Sequence, residues 1–132
     1  LPLRDQVAYQ SGQVVSRTLA QNEHVSVTLF SFDKGEEIST HESGGDAMVT
    51  CLDGVGRITI DGVEHILHEG ESIVMPARHP HAVYGQEQFK MLVVLIFLFT
   101  EKVRKQSAFA PFLRLYRKVA HYRAACFFAW PE

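Results

Sequence analysis

Cysteine is scarce: only Cys51 and Cys126 occur in 132 residues. Two thiols without framework spacing do not imply a disulfide scaffold, and reduced thiols in a cytoplasmic protein are the expectation. Long apolar runs are missing too. The longest, residues 91–99, is half the ~20 residues a membrane-spanning helix needs, and it reads as a buried strand. The opening Leu1-Pro2-Leu3-Arg4-Asp5 has neither the basic start nor the apolar stretch of a secretory leader. Neither sign of charge dominates, with a net charge of −2. Repeats and low-complexity stretches are absent. No Ser-His-Asp or Cys-His arrangement stands out, and Gly44-Gly45 reads as a turn rather than a phosphate-binding loop.

The near-neutral total hides an asymmetry. Up to residue 97 the bases are Arg4, Arg17, Lys34, Arg57, Arg78 and Lys90, far outnumbered by acids. Beyond it the only acids are Glu101 and Glu132, against Lys102, Arg104, Lys105, Arg114, Arg117, Lys118 and Arg123. In the tail Pro111 can open a helix. Phe112, Leu115, Val119, Tyr122 and Cys126 then recur at spacings of three and four, with bases on another face. This pattern predicts an amphipathic basic helix over residues 111–128. It could pack on the body, contact a second subunit, or meet an acidic surface. The first reading is favoured, and neither a nucleic-acid nor a membrane partner is expected. The chain divides into residues 1–100, a β domain, and residues 101–132, a basic helical extension.

The body reads in period two. Residues 24–32 alternate and are rich in β-branched and aromatic side chains, which is strand chemistry. Further strands are expected at 47–52, ended by Asp53-Gly54, then at 57–60 and 63–67. An Asp61-Gly62 pair lies between the last two, a strong hairpin signal. Residues 72–75, 81–84 and 89–97 complete the set. Short strands with a turn every eight to twelve residues predict an all-β sandwich or barrel.

Certain spacings within this pattern carry chemistry. Gly35 is followed after five residues by His41, and Ala47 after six by Gly54. Gly70 is followed after five by Pro76, and Pro76 after four by His81. These intervals resemble the two motifs of the cupin family. The match spans about residues 25–96 and looks like the small, single-domain, RmlC-like cupins of the conserved-barrel type. The resemblance implies an antiparallel double-stranded β-helix, a jelly-roll barrel. It also implies a homodimer paired through N-terminal strands, here residues 14–19.

In the family, three histidines and a glutamate hold one divalent ion. Imidazole with carboxylate suits Mn, Fe, Ni, Cu or Zn. Here His41 and His81 stand at histidine positions, but Ser43 replaces the second histidine, Ala47 the glutamate and Arg78 the motif glycine. Asp46, one residue before Ala47, points outward by strict alternation unless a bulge re-aims it. It also suits a turn residue bonding backbone amides. His79 could share a face with His81 or sit on a surface loop. The candidate metal residues are thus His41, His81, Asp46 and His79. If residues 41, 43 and 47 share one strand they face one interior, so Ser43, Ala47, Val49 and Cys51 are expected to line the pocket. Cys51 reads as a small buried apolar residue rather than a nucleophile. His24, His65 and His68 are expected in solvent.

Two protein ligands hold a metal weakly, since zinc sites normally use three or four. The sequence therefore points to a barrel that binds a small molecule, with a depleted site for a weakly held divalent transition metal. The alternative is a metal-dependent oxygenase or isomerase acting on a small organic substrate. A barrel packed shut, acting through its basic helix, is a third possibility. Fold alone does not choose among them.

Overall fold

The computed structural model describes residues 1–97. The expected helix at 111–128 and the division at residue 100 lie outside them. A single 3₁₀ turn, Leu3–Asp5, precedes seven strands: β1 (Val14–Gln21), β2 (Val25–Phe32), β3 (Glu37–His41), β4 (Gly45–Ile60), β5 (Val63–His68), β6 (Ser72–Met75) and β7 (His81–Phe97). Every pairing is antiparallel. The order is β1-β2-β7-β4-β5, with β3 on β7 and β6 on β4. The expected all-β architecture is therefore present. Among the described residues no helix is long and apolar enough to cross a membrane.

Two long strands build the barrel, because each changes partners along its length. The first part of β4 pairs β6 (Ala47↔Met75) and the last part pairs β5 (Ile60↔Val63). Likewise β7 begins against β3 (His41↔His81) and ends against β2 (Val25↔Ile96). This gives two layers, β3-β7-β4-β5 and β1-β2-β7-β4-β6, sharing β4 and β7. The crossing lies where the β4–β7 register slips, between Cys51 and Asp53 and again between Gly54 and Gly56. Bulges bend a strand and sharpen its twist, which lets one strand serve two layers.

Here the structure corrects the strand boundaries. Asp53-Gly54 was expected to end a strand, and residues 81–84 and 89–97 to form two. Both β4 and β7 instead run through. Gly54 takes φ +74° within β4, which makes a bulge rather than a chain reversal. Asp61-Gly62 does reverse the chain, with φ of 51° and 79°, as a two-residue hairpin of this type requires.

The interior follows from alternation. Phe30 and Phe32 of β2, Ala47, Val49 and Cys51 of β4, Met75 of β6, and Phe89, Met91, Val93 and Leu95 of β7 form one buried cluster. Phe32 and Phe89 lie with ring centroids 5.5 Å apart. Each such side chain contributes about 1.5–3 kcal/mol by leaving water. Burial pushes the Cys51 thiol up to about 11, so it is an inert core group. Residues before β1 strap the outer face of β2, β7 and β4. Ser31 donates to the Ala8 carbonyl, Lys90 to the Arg4 carbonyl, and the Tyr9 hydroxyl to Asp53 at 2.6 Å.

Candidate functional site

The two connections β3–β4 (residues 42–44) and β6–β7 (residues 76–80) meet at one end of the barrel. The Arg78 N–H donates to the Ser43 carbonyl, and the Ala77 N–H to Asp46 Oδ1, both at 2.8 Å. They bring together the end of β3, the start of β4, the end of β6 and the start of β7. Phe97 N–H bonded to the His24 carbonyl, with Val25 opposite Ile96 and Asp46 opposite Ile96, carries the start of β2 to the same end.

His41 closes β3 and His81 opens β7, as direct cross-strand partners. Their rings meet edge to face with centroids 4.3 Å apart, and the two Nε2 atoms lie 3.0 Å from each other. The other nitrogen of each ring is fixed by backbone. His41 Nδ1 lies 2.8 Å from the Ser39 carbonyl and His81 Nδ1 lies 3.0 Å from the His79 carbonyl. A carbonyl only accepts, so Nδ1 carries the hydrogen in both rings. In a neutral ring that leaves a lone pair on Nε2. The two unprotonated nitrogens therefore face each other across 3.0 Å with no hydrogen between them.

A shared proton or a cation would relieve that opposition. Burial counts against the proton. It lowers the pKa of both rings, and that of His81 falls to about 4, with the neighbouring His41 adding to the effect and the bond to His79 partly offsetting it. At neutral pH both rings are uncharged.

The same shift makes stability depend on pH. Unfolded, His81 titrates near ~6.5; folded, it titrates near 4. Between those values the unfolded chain binds more protons, so acid favours unfolding. Metal-free protein should lose on the order of 3 kcal/mol as pH falls from ~6.5 to ~4, with little contribution from this group above that window. In urea denaturation at stepped pH, His81→Gln should flatten most of this slope. An unchanged slope in the variant would assign it to other groups.

The remaining candidates separate. Ser43 is buried, but it lies in the β3–β4 connection rather than on the strand of His41, and its hydroxyl donates to the Gly45 carbonyl at 2.8 Å. The expectation that residues 41, 43 and 47 share one strand is thus corrected. The chain leaves strand geometry at Glu42-Ser43-Gly44 and re-enters it at Gly45, which passes so close to the Ile96 carbonyl that a Cβ would stand 2.1 Å from its oxygen. Asp46 is exposed and holds the Ala77 amide. His79 is half exposed, with Nδ1–H donating to Asp61 at 2.6 Å. Among the described residues no three His, Cys, Asp or Glu side chains gather as a metal-holding group. The set His41, His81, Asp46 and His79 is therefore not assembled, and only the first two meet. Ala47, Val49 and Cys51, expected to line a pocket, belong to the buried apolar cluster of the interior. His24, His65 and His68 are exposed. The Asp61–His79 pair went unread because the two residues are far apart in sequence. Its only signal is that Asp61 heads the hairpin turn.

The fit to a divalent ion can be tested on this donor set. Imidazole nitrogens bind zinc at about 2.0–2.1 Å, so two nitrogens 3.0 Å apart can reach one ion together. Both have their Nδ1–H anchored on carbonyls, the usual support for a metal-binding histidine. The pair fits half of a site, and the other protein positions are a serine and an alanine.

An antiparallel barrel of two shared layers, with paired histidines where the β3–β4 and β6–β7 connections meet, is the cupin architecture. The chain belongs to the cupin family, whose cupin-domain pattern matches residues 28–96. A conserved protein of unknown function from Streptococcus pyogenes is 47% identical, with a TM-score of 0.73, covering 76% of this chain and 88% of that one. A cupin superfamily protein from Desulfitobacterium hafniense is 36% identical, with a TM-score of 0.71, covering 74% and 89%. A salicylate 1,2-dioxygenase from Pseudaminobacter salicylatoxidans, 16% identical over 71% of this chain and 30% of its own, with a TM-score of 0.60, shares the fold alone. No curated protein matches the sequence.

Proposed function

We propose that this cupin binds a small organic molecule inside the barrel, at the His41–His81 pair, and that the pair holds a divalent transition metal weakly. The observation that carries this reading is the 3.0 Å approach of two Nε2 atoms whose Nδ1 partners are both backbone carbonyls. An interior that is apolar apart from a few placed polar groups is the usual setting for a small ligand. A bound ion would act as a Lewis acid toward a chelating substrate. An oxygenase or isomerase is the second reading, favoured by the same converging nitrogens. It ranks below binding because Ser43 and Ala47 supply neither imidazole nor carboxylate. A second copy of the chain pairing along β1, the edge of its layer, is our proposal for the assembly.

Metal content measured by mass spectrometry, on protein purified without an affinity tag or chelator, tests the metal half of this reading. A substoichiometric transition metal that disappears in His41→Ala/His81→Ala is the expected result. Equal metal in both proteins would remove the pair from the site.

A further inference from the structure

The layer facing the histidine pair carries polar side chains that the barrel itself does not use. Cross-strand register places Gln21 opposite Ser26, Ser26 opposite Leu95, Leu95 opposite Ala47, and Ala47 opposite Met75. The next row runs through Thr18, Thr28, Val93, Val49 and Ile73. Residues paired across strands share a face, so Gln21, Ser26 and Thr28 lie on the inner side with Ala47 and Val49. They belong to the end of the barrel where the β3–β4 and β6–β7 connections meet, and hence to the end that holds His41 and His81.

Their hydrogen bonds are incomplete. Gln21 Nε2 is buried and has no partner among the described residues. Ser26 and Thr28 are 1% and 0% exposed. Among the described residues their hydroxyls reach only one another at 3.5 Å and, from Thr28, Thr18 at 3.4 Å. Hydroxyl hydrogen bonds normally close to about 2.7–2.8 Å. A buried polar group without a good partner costs stability and asks for an explanation. Valine or leucine would fill these positions at lower cost. The amide offers two N–H donors and each hydroxyl one. Among the described residues no Asp, Glu, Lys or Arg is buried, so the wall is neutral and rich in donors.

We propose that Gln21, Ser26 and Thr28 form an anchoring subsite for the carboxylate of a small organic acid, whose other end lies at the histidine pair. A carboxylate accepts at both oxygens and cannot donate, which matches three donor groups. This inference rests on the barrel-binding reading above and names the ligand class for it.

The test uses the full chain, with and without added Zn, and acetate, pyruvate, succinate and benzoate as probes in calorimetric titrations. At least one probe should bind the wild type. Gln21→Leu should weaken it about tenfold to a hundredfold, as expected for a lost bond to a charged group, and Ser26→Ala should act in the same direction. The melting temperature of Gln21→Leu should stay level or rise, because an unpaired buried amide has been removed. A structural amide would give the opposite pattern, lower stability with binding intact, and would overturn the proposal. Binding lost in His41→Ala/His81→Ala but kept in Gln21→Leu would overturn the subsite and leave the barrel reading standing. Failure of all four acids to bind a wild type that takes up metal would overturn the carboxylate assignment alone.

Discussion

The double variant Ser43→His/Ala47→Glu should bind Zn or Mn at least about a hundredfold more tightly than the wild type, a larger change than supporting residues around a metal usually produce. The wild-type pair presents two nitrogens. Ala47 is 2% exposed on the inner face of β4, at the end of the barrel where that pair sits. Ser43 is buried in the connection that follows His41. An imidazole and a carboxylate there would complete a four-donor set of the kind that holds zinc firmly. The cost falls on the metal-free form. A carboxylate replacing a buried methyl group is poorly solvated, and the bond from Ser43 to the Gly45 carbonyl is lost, worth about 1 kcal/mol. The variant should therefore melt below the wild type when stripped and recover when metal is added. Affinity that does not rise in a folded variant would show that positions 43 and 47 do not both face the pair.

Gly54→Ala should be the most damaging single exchange outside the aromatic core. Gly54 takes φ +74°, where L residues are strained, and a Cβ there would stand 1.6 Å from the Gln88 carbonyl oxygen and 2.7 Å from its carbon. Both neighbours are backbone of β7, so neither can turn aside. The site is also the bulge that lets β4 and β7 serve two layers. Loss of stability should exceed about 4 kcal/mol, the range reserved for severe defects. Gly62→Ala is the control. It has a similar φ of +79° with nothing within 4 Å, so it should cost only about 1–2 kcal/mol. Equal losses in urea denaturation would mean that strain at positive φ, and not the crowded bulge, governs position 54.

Much of the barrel could be read from alternation and turn residues, since each inward side chain is set by period two and each reversal by a local pair such as Asp61-Gly62. The bulges could not. Asp53-Gly54 and Asp61-Gly62 are the same dipeptide, and only the tertiary pairing with Gln88 and Phe89 makes the first a kink inside a strand. The meeting of His41 with His81 was implied by the resemblance to the cupin motifs, and the structure makes them direct cross-strand partners. The fate of Ser43, Asp46 and His79 was not implied. Each finds a partner (the Gly45 carbonyl, the Ala77 amide, the Asp61 carboxylate) that depends on loop geometry. The polar wall was hidden for another reason. In β2 one face reads Ser26, Thr28, Phe30, Phe32 and the other Val25, Val27, Leu29, Ser31. Both are mixed, so hydropathy does not say which is inside. The bulk of Phe30 and Phe32 turns the first set inward, and the two hydroxyl residues go with them.

Calorimetric titration of Zn and Mn into stripped wild type and into His41→Ala/His81→Ala, at neutral pH, tests the central claim most directly. A single weak saturable site per chain is expected in the wild type and none in the double variant, with both proteins folded. Binding that is absent from the wild type, or equal in the two, would contradict it.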